Sequence, residues 1–162
     1  MDASGLSVPP TLDEYVGNAA KLAADNPKAS GLWWPGQDWY NALPFIWENG
    51  GEIAVPDGDA WDAQLSSAGS VAGLTQVQEV MQNASRAPKD GNETNPQVGY
   101  CDGTALQISS PSCAKLTPAS PKWADVEAAG VLQDLFVNIA QGGDVQQLAE
   151  QADADIEDIL NG

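Results

Sequence analysis

The sequence contains no histidine, and this absence excludes the chemistry that depends on an imidazole. Ser-His-Asp catalysis, Cys-His catalysis and histidine zinc sites are therefore excluded. Basic residues are also scarce, because six Lys and Arg stand against 23 Asp and Glu, for a net charge of −17 at pH 7. A field of that sign repels nucleic-acid phosphates and anionic membrane surfaces. We expect no nucleic-acid partner, no cofactor and no metal, and a protein that binds its ligand without catalysis.

Long apolar runs are missing too, since no stretch approaches the roughly 20 residues that span a bilayer. Residues 1–10 have neither a basic nor an apolar signal region, so we expect no secretory signal in this chain. Cysteine is limited to Cys101 and Cys113, whose spacing is compatible with one disulfide or with two free thiols. The chain is nevertheless 43% hydrophobic with six Trp, and its 162 residues suffice for one core. These features predict a single globular domain over residues 1–162.

Helical periodicity alternates with short strand-like segments along the chain. A capping box at Thr11–Glu14 predicts the start of a helix that ends at residues 25–27. Pro44 predicts a kink or a start within the second helix. The predicted helices are 12–25, 39–49, 67–83, 126–139 and one that begins after Asp144. The predicted strands are 31–34, 52–55 and 104–109. A turn is predicted at 56–59 and a loop at 84–96. This order predicts an α/β fold, specifically a three-layer α/β/α sandwich.

Aromatic residues are concentrated between residues 33 and 47. An indole ring can stack on the apolar face of a sugar, and neighbouring amides and carboxylates can hydrogen-bond its hydroxyls. The alternative is that these rings fill the core, and we favour the core for Phe45 and Trp47. Trp39 follows the turn at Pro35–Gly36, and we predict that it is exposed and contacts a ligand. The cluster consists of Trp33, Trp34, Trp39, Tyr40, Phe45 and Trp47, with Gln37, Asp38 and Asn41 beside it.

The acidic residues form no recognisable catalytic or metal-binding pattern. Residues 57–62 contain three Asp but lack the spacing and the bidentate Glu of an EF-hand, so we interpret them as a solvated turn. The acidic residues at 153–158 are interpreted as a solvated helix face. No pair of carboxylates stands out as a glycosidase centre. Gly50–Gly51 follows a helix, which does not fit a phosphate-binding loop.

Four segments in order resemble the maltose-binding-like family of solute-binding proteins, the extracellular sugar-binding proteins of ABC importers. Residues 9–14 (PPTLDE) resemble the family's P-x-T-W-D-E helix entry, and residues 31–51 resemble its strand, G-x-D-W loop and helix ending in Gly-Gly. Residues 100–111 (YCDGTALQISSP) resemble its F-x-x-G-x-x-A-M strand, and residues 118–162 resemble its C-terminal helix pair. Ser112-Cys113 stands where the family usually has an aromatic residue, so one sugar platform is expected to be lost.

The resemblance implies a type II periplasmic-binding-protein-like fold of two lobes that close around the ligand. All four segments match the C-terminal lobe, which implies that this chain is a single lobe rejoined near residues 112–117, where the other lobe's segment is missing. The implied partners are a neutral mono- or oligosaccharide, the N-terminal lobe and an ABC permease. The implied location of the parent protein is extracellular.

The resemblance also assigns candidate sugar-binding residues. They are Gln37, Asp38, Trp39 and Asn41 in the ligand-facing loop, Ser109 and Ser110 at a strand end, and Trp123 beside Lys122 at the start of the helix pair. It further suggests that Cys113 was introduced near the junction to pair with Cys101. The resulting hypothesis is a non-catalytic sugar-binding lobe with weak affinity in isolation. The alternative is an engineered lobe that serves as a folded scaffold and retains no ligand.

Overall fold

The computed structural model describes residue 9 and residues 11–92 and 117–162. Predictions for the strand at 104–109, for Ser109 and Ser110, for Cys101 and Cys113 and for most of the junction lie outside these residues. The described elements are α1 (Leu12–Asp25), α2 (Leu43–Glu48), β1 (Ala54–Asp57), β2 (Ala60–Ala63), α3 (Ala68–Asn83), α4 (Trp123–Ala129), α5 (Val131–Ala140) and α6 (Val145–Asn161).

Side-chain caps begin three of the helices at the positions where the sequence places them. The Thr11 hydroxyl accepts a hydrogen bond from the backbone N–H of Glu14 at 3.3 Å, which confirms the predicted start of α1. Ser67 and Asp144 likewise accept from backbone N–H groups in the first turns of α3 and α6. Each cap satisfies a donor that has no partner within the helix.

The second helix is shorter than predicted and begins at Leu43, with Pro44 in its first turn. The fixed φ of proline suits this position, so the predicted start near Pro44 is confirmed. The helix ends before Gly50, whose φ of +75° is a left-handed conformation that favours glycine. Helix α2 packs closely on α3. A Cβ on Gly73 of α3 would lie only 2.4 Å from the carbonyl oxygen of Phe45 in α2.

The predicted long helix from residue 126 to residue 139 is wrong, because Gly130 divides it. Gly130 has a φ of +75°, so α4 ends and α5 begins at this residue. The apolar periodicity continues across the break: Val126 in α4 and Leu132 in α5 are both buried. The periodicity of apolar residues therefore does not reveal the break between α4 and α5.

The described sheet consists of two antiparallel strands, β1 and β2, with Ala54 paired to Ala63 and Asp57 paired to Ala60. The predicted turn at 56–59 is partly wrong, since Pro56 and Asp57 belong to β1 and only Gly58 and Asp59 form the tight turn. Gly58 has a φ of +62°, which a two-residue hairpin loop requires. Helices with a small sheet are compatible with an α/β fold, and the three-layer sandwich stays a prediction.

Residues 31–34 do not form the predicted strand within the described part of the chain. They are largely buried, and their backbone binds the segment that follows α3. The N–H of Gly31 donates to the Ala84 carbonyl at 2.9 Å, and the N–H of Trp34 donates to the Ser85 hydroxyl at 3.1 Å. This apolar segment is buried in the core, and its backbone N–H groups bind the loop that follows α3.

The acidic residues of α6 do not all face solvent, so the predicted solvated face is wrong for two of them. Asp153 is only 7% exposed, and its two carboxylate oxygens accept from the N–H groups of Leu65 and Ser66, each at 2.7 Å. Glu157 accepts from the N–H of Ala63 at 3.2 Å. Asn161 continues the series by accepting from the N–H of Trp61 at 2.8 Å.

These three side chains cover the open edge of β2. Residues 153, 157 and 161 recur every four positions, a rise of about 6 Å along a helix. The N–H groups they bind belong to Trp61 and Ala63 in β2 and to Leu65 just after it, which recur every two positions, a rise of about 6.6 Å in an extended chain. Because the two repeats nearly match, one helix face satisfies successive N–H groups of the edge strand.

Candidate functional site

The loop at residues 35–41 is held against the loop at residues 88–91. The N–H of Gly36 donates to the Pro88 carbonyl at 3.1 Å, and the Gln37 side-chain amide donates to the Asp90 carbonyl at 2.9 Å. A Cβ on Gly36 would lie 1.6 Å from the Lys89 carbonyl oxygen, so the two backbones meet where only glycine fits. Lys89 also donates to the carbonyls of Met81 and Ser85 at the end of α3, and burial lowers the pKa of its ammonium group.

Trp34 also holds the loop at residues 35–41. Its indole Nε1–H donates to the Asp38 carbonyl at 2.9 Å, and its ring lies 5.5 Å from the ring of Phe45 at α2. Asp38 then accepts from the side-chain amide of Asn41 at 2.5 Å. Burial raises the pKa of Asp38, and the hydrogen bonds from Asn41 oppose that rise. The loop is thus fixed by contacts at both ends.

Trp39 and Tyr40 are stacked in the middle of the loop, with ring centroids 3.7 Å apart and an interplanar angle of 24°. Trp39 is only 2% exposed, whereas Tyr40 is 57% exposed. The prediction that Trp39 is exposed is therefore wrong. The indole joins the core and becomes the support on which the phenol of Tyr40 rests.

Glu127 connects this loop to α4. Its Oε1 accepts from the Trp123 indole Nε1 at 2.7 Å and from the Tyr40 hydroxyl at 3.5 Å. Burial, and then the negative charge and hydrogen bond of Glu127, raise the pKa of Tyr40. The candidate site is therefore an exposed phenol backed by an indole, with a carboxylate at its hydroxyl end. We call Trp39, Tyr40, Trp123 and Glu127 the tyrosine platform.

The structure brings some of the predicted site residues together. Trp39 stacks on Tyr40, and the Tyr40 hydroxyl and the Trp123 indole both donate to Glu127. The platform therefore links Trp39 to Trp123, which are 84 positions apart in the sequence. Gln37, Asp38 and Asn41 surround the loop, but the amides of Gln37 and Asn41 are engaged within the protein. Ser109 and Ser110 lie outside the described residues.

Comparison with known proteins gives one informative match. The chain is 35% identical over 98 residues to the diacetylchitobiose binding protein DasA of Streptomyces coelicolor. The chain is a partial homologue of a sugar-binding protein. The aligned part covers 60% of this chain and spans 23% of the length of DasA. No family model matches the chain.

The chemistry that the tyrosine platform can perform follows from its own side chains, which are two indoles, a phenol and a carboxylate. The described residues offer no group of three or more Cys, Asp or Glu that could hold a metal ion. Among the described helices, none has the length and apolar character needed to cross a bilayer. The tyrosine platform itself can stack a ring on Tyr40 and accept hydrogen bonds at Glu127.

Two residues of the tyrosine platform, Tyr40 and Glu127, are not among the site residues that the sequence predicts. The aromatic cluster includes Tyr40, but the sequence assigns the residues on both sides of it, Trp39 and Asn41, to the site and not Tyr40 itself. The signal that distinguishes Trp39 from Tyr40 is the exposed fraction of each ring, which only the folded structure gives. Glu127 was missed because its partners Tyr40 and Trp123 approach it only in the folded chain.

Proposed function

We propose that this chain is part of a non-catalytic, extracellular carbohydrate-binding protein of an ABC importer. We further propose that it is the C-terminal lobe, whose partners in the parent protein are an N-terminal lobe and an ABC permease. The partial homology to a diacetylchitobiose binding protein supports the sugar-binding class. The ligand of this chain would then be a neutral mono- or oligosaccharide.

The exposed face of Tyr40 is the observation that carries the proposal. A half-exposed aromatic ring held flat by a buried indole is preorganised for stacking on the C–H face of a pyranose. Preorganisation lowers the entropy lost on binding, since neither ring has to be immobilised. Glu127 and Asp38 carry acceptor oxygens that suit sugar hydroxyls or the N–H of an acetamido group.

Binding to this surface is expected to be weak. A single platform leaves one face of the sugar in water unless a second lobe closes over it. We expect a dissociation constant near the millimolar range, which corresponds to about 4 kcal/mol of binding free energy. Micromolar or tighter binding would contradict the single-lobe part of the proposal.

The test is a titration of ¹⁵N-labelled protein with diacetylchitobiose, followed by amide chemical shifts. The wild-type protein should shift at residues 38–41 and 123–127, and Tyr40→Ala should abolish these shifts. Tyr40→Phe should retain stacking and lose about threefold or less in affinity, since only the hydroxyl is removed. Tyr15→Phe, which removes a hydroxyl from α1, serves as the matched control and should bind as the wild type does.

A folded lobe without a ligand is the second candidate, and one observation favours it. Gln37 and Asn41 donate within the protein, and Trp39 is buried, so three predicted contacts serve the fold. If saturating sugar moves no amide near Tyr40, or if Tyr40→Ala binds as tightly as the wild type, the platform is structural. The scaffold hypothesis would then replace the sugar-binding one.

A further inference from the structure

A groove of about 330 Å³ lies between α5 and α6, and none of its lining residues belongs to the tyrosine platform. From α5 it is lined by Val131, Asp134 and Leu135, together with Asn138. These positions follow an i, i+3, i+4, i+7 pattern, which is one face of a helix. The face is continuous over two turns of α5.

The opposite wall of the groove is a matching face of α6. Leu148, Asp155, Asp158 and Ile159 line it along with Gln151. Residues 148 to 159 span about 16 Å at 1.5 Å per residue, which is three turns of helix. The groove is therefore a channel between two helices, long enough to receive a third helix of similar length.

The floor of the groove is apolar and its rim is acidic. Val131, Leu148 and Ile159 are packed against the core but remain partly exposed. Asp134, Asp155 and Asp158 are exposed beside them. An apolar surface rimmed by polar residues is one feature of sites that bind another protein.

No basic residue balances these carboxylates nearby in the sequence. Residues 123–162 contain no Lys or Arg and nine acidic residues, namely Asp125, Glu127, Asp134, Asp144, Glu150, Asp153, Asp155, Glu157 and Asp158. Among the described residues, the ion pair formed is that between Lys21 and Asp25 in α1. The rim thus has a single sign of charge, which favours a cationic partner over a neutral or anionic one.

We propose that the α5–α6 groove is a docking site for a cationic amphipathic helix of a protein partner. Apolar side chains of that helix, spaced three and four residues apart, pack on Val131, Leu148 and Ile159. Its Lys or Arg side chains flank this row and pair with Asp134, Asp155 and Asp158. The inference does not depend on sugar binding at Tyr40.

Charge complementarity selects this occupant over other macromolecules. Nucleic acid and anionic lipid are repelled by the acidic rim. A second copy of the chain would bring a second acidic helix pair, which costs like-charge repulsion. A basic amphipathic helix satisfies both the apolar floor and the acidic rim.

The probe is a fluorescent Leu/Lys peptide of about 14 residues, roughly four turns, with Leu at i, i+3, i+4 and i+7. Binding is measured by fluorescence anisotropy, and the contact surface is mapped by amide chemical shifts. We expect saturable binding that perturbs residues 131–138 and 148–159. A peptide of the same composition with its Leu positions scrambled should bind at least about fivefold more weakly, because it presents no apolar row.

Two double variants that remove the same charge distinguish binding in the groove from general attraction to an acidic protein. Asp134→Asn combined with Asp158→Asn removes two rim charges and should weaken the peptide by about three- to tenfold. Asp125→Asn combined with Glu150→Gln removes the same charge from exposed positions that do not line the groove and should change affinity by less than about twofold. All four positions are exposed, so both variants should fold.

The proposal is overturned by any of three results. One is equal weakening by the two double variants, which indicates a diffuse field. Another is equal binding of the patterned and scrambled peptides, which indicates that the apolar floor contributes nothing. The third is a set of amide shifts that maps away from α5 and α6.

Discussion

The carboxylate of Asp153, in the middle of α6, accepts a 2.7 Å hydrogen bond from the backbone N–H of Leu65, 88 residues earlier in the chain. Its second oxygen accepts from the N–H of Ser66, so a single buried side chain satisfies two donors between β2 and α3. Burial raises the pKa of Asp153, while these hydrogen bonds oppose the rise. This contact ties the C-terminal helix to the hairpin.

Replacing Asp153 should destabilise the protein strongly. In Asp153→Asn one oxygen still accepts, but the amide NH₂ faces the second backbone donor and leaves it unsatisfied. We expect a loss of about 2–3 kcal/mol in the free energy of unfolding, measured by urea denaturation. Asp155→Asn, an exposed position on the same helix, should change that free energy by less than about 0.5 kcal/mol. Equal effects of the two variants would show that the contact is unimportant.

Tyr15 should make stability depend on pH in the alkaline range. Burial raises the pKa of its phenol from 10.0 to about 12 in the folded protein. A raised folded-state pKa gives a contribution that is fully present below pH 10 and is lost as the pH rises to about 12. The urea midpoint of the wild type should therefore fall more between pH 9 and pH 12 than that of Tyr15→Phe. Parallel curves for the two proteins would contradict this prediction.

Gly73 should not tolerate a side chain, because its Cβ would lie 2.4 Å from the carbonyl oxygen of Phe45. In Gly73→Ala the two helices α2 and α3 must separate, and we expect a loss of about 2–4 kcal/mol. The matched control is Gly17→Ala in α1, where nothing lies within 4 Å of the new Cβ. That substitution should stabilise the protein by about 0.5–1 kcal/mol through helix propensity. Thermal and urea unfolding of the two variants measure both effects.

Substitutions of the two stacked residues, Trp39 and Tyr40, should differ in their effect on stability. Trp39→Ala removes a buried indole and should cost about 3–5 kcal/mol in the free energy of unfolding. Tyr40→Ala removes a ring that is 57% exposed, so its cost should stay near 1 kcal/mol. Circular dichroism during denaturation measures both. A small effect of Trp39→Ala would return Trp39 to the candidate ligand contacts.

Much of the helical structure was predictable because its signals are local. The caps at Thr11, Ser67 and Asp144 and the stop at Gly50 act within one helical turn, and each lies at its predicted position. The break at Gly130 was missed, since a glycine within an apolar period gives no sign of its φ. The strand predicted at 31–34 was wrong because a short apolar run is equally compatible with a buried loop.

The candidate site was predictable as a region and less so as a set of residues. The aromatic cluster located the loop at residues 35–41, and the start of the C-terminal helices located Trp123. The loop is positioned by contacts with α4 and with the loop at 88–91, which join residues more than 50 positions apart. Sequence patterns carry no information on such contacts.

The sequence by itself determined the chemical groups that this chain carries and their charge. It contains no imidazole, and its net charge of −17 gives it a strongly negative field. Only the tertiary structure decided which groups face the solvent. Trp39 is buried beneath an exposed Tyr40, and Asp153 is buried against Leu65 while its neighbours Asp155 and Asp158 remain exposed on the groove. The physical reason is that burial depends on partners brought together by folding, whereas charge and residue type belong to the chain itself.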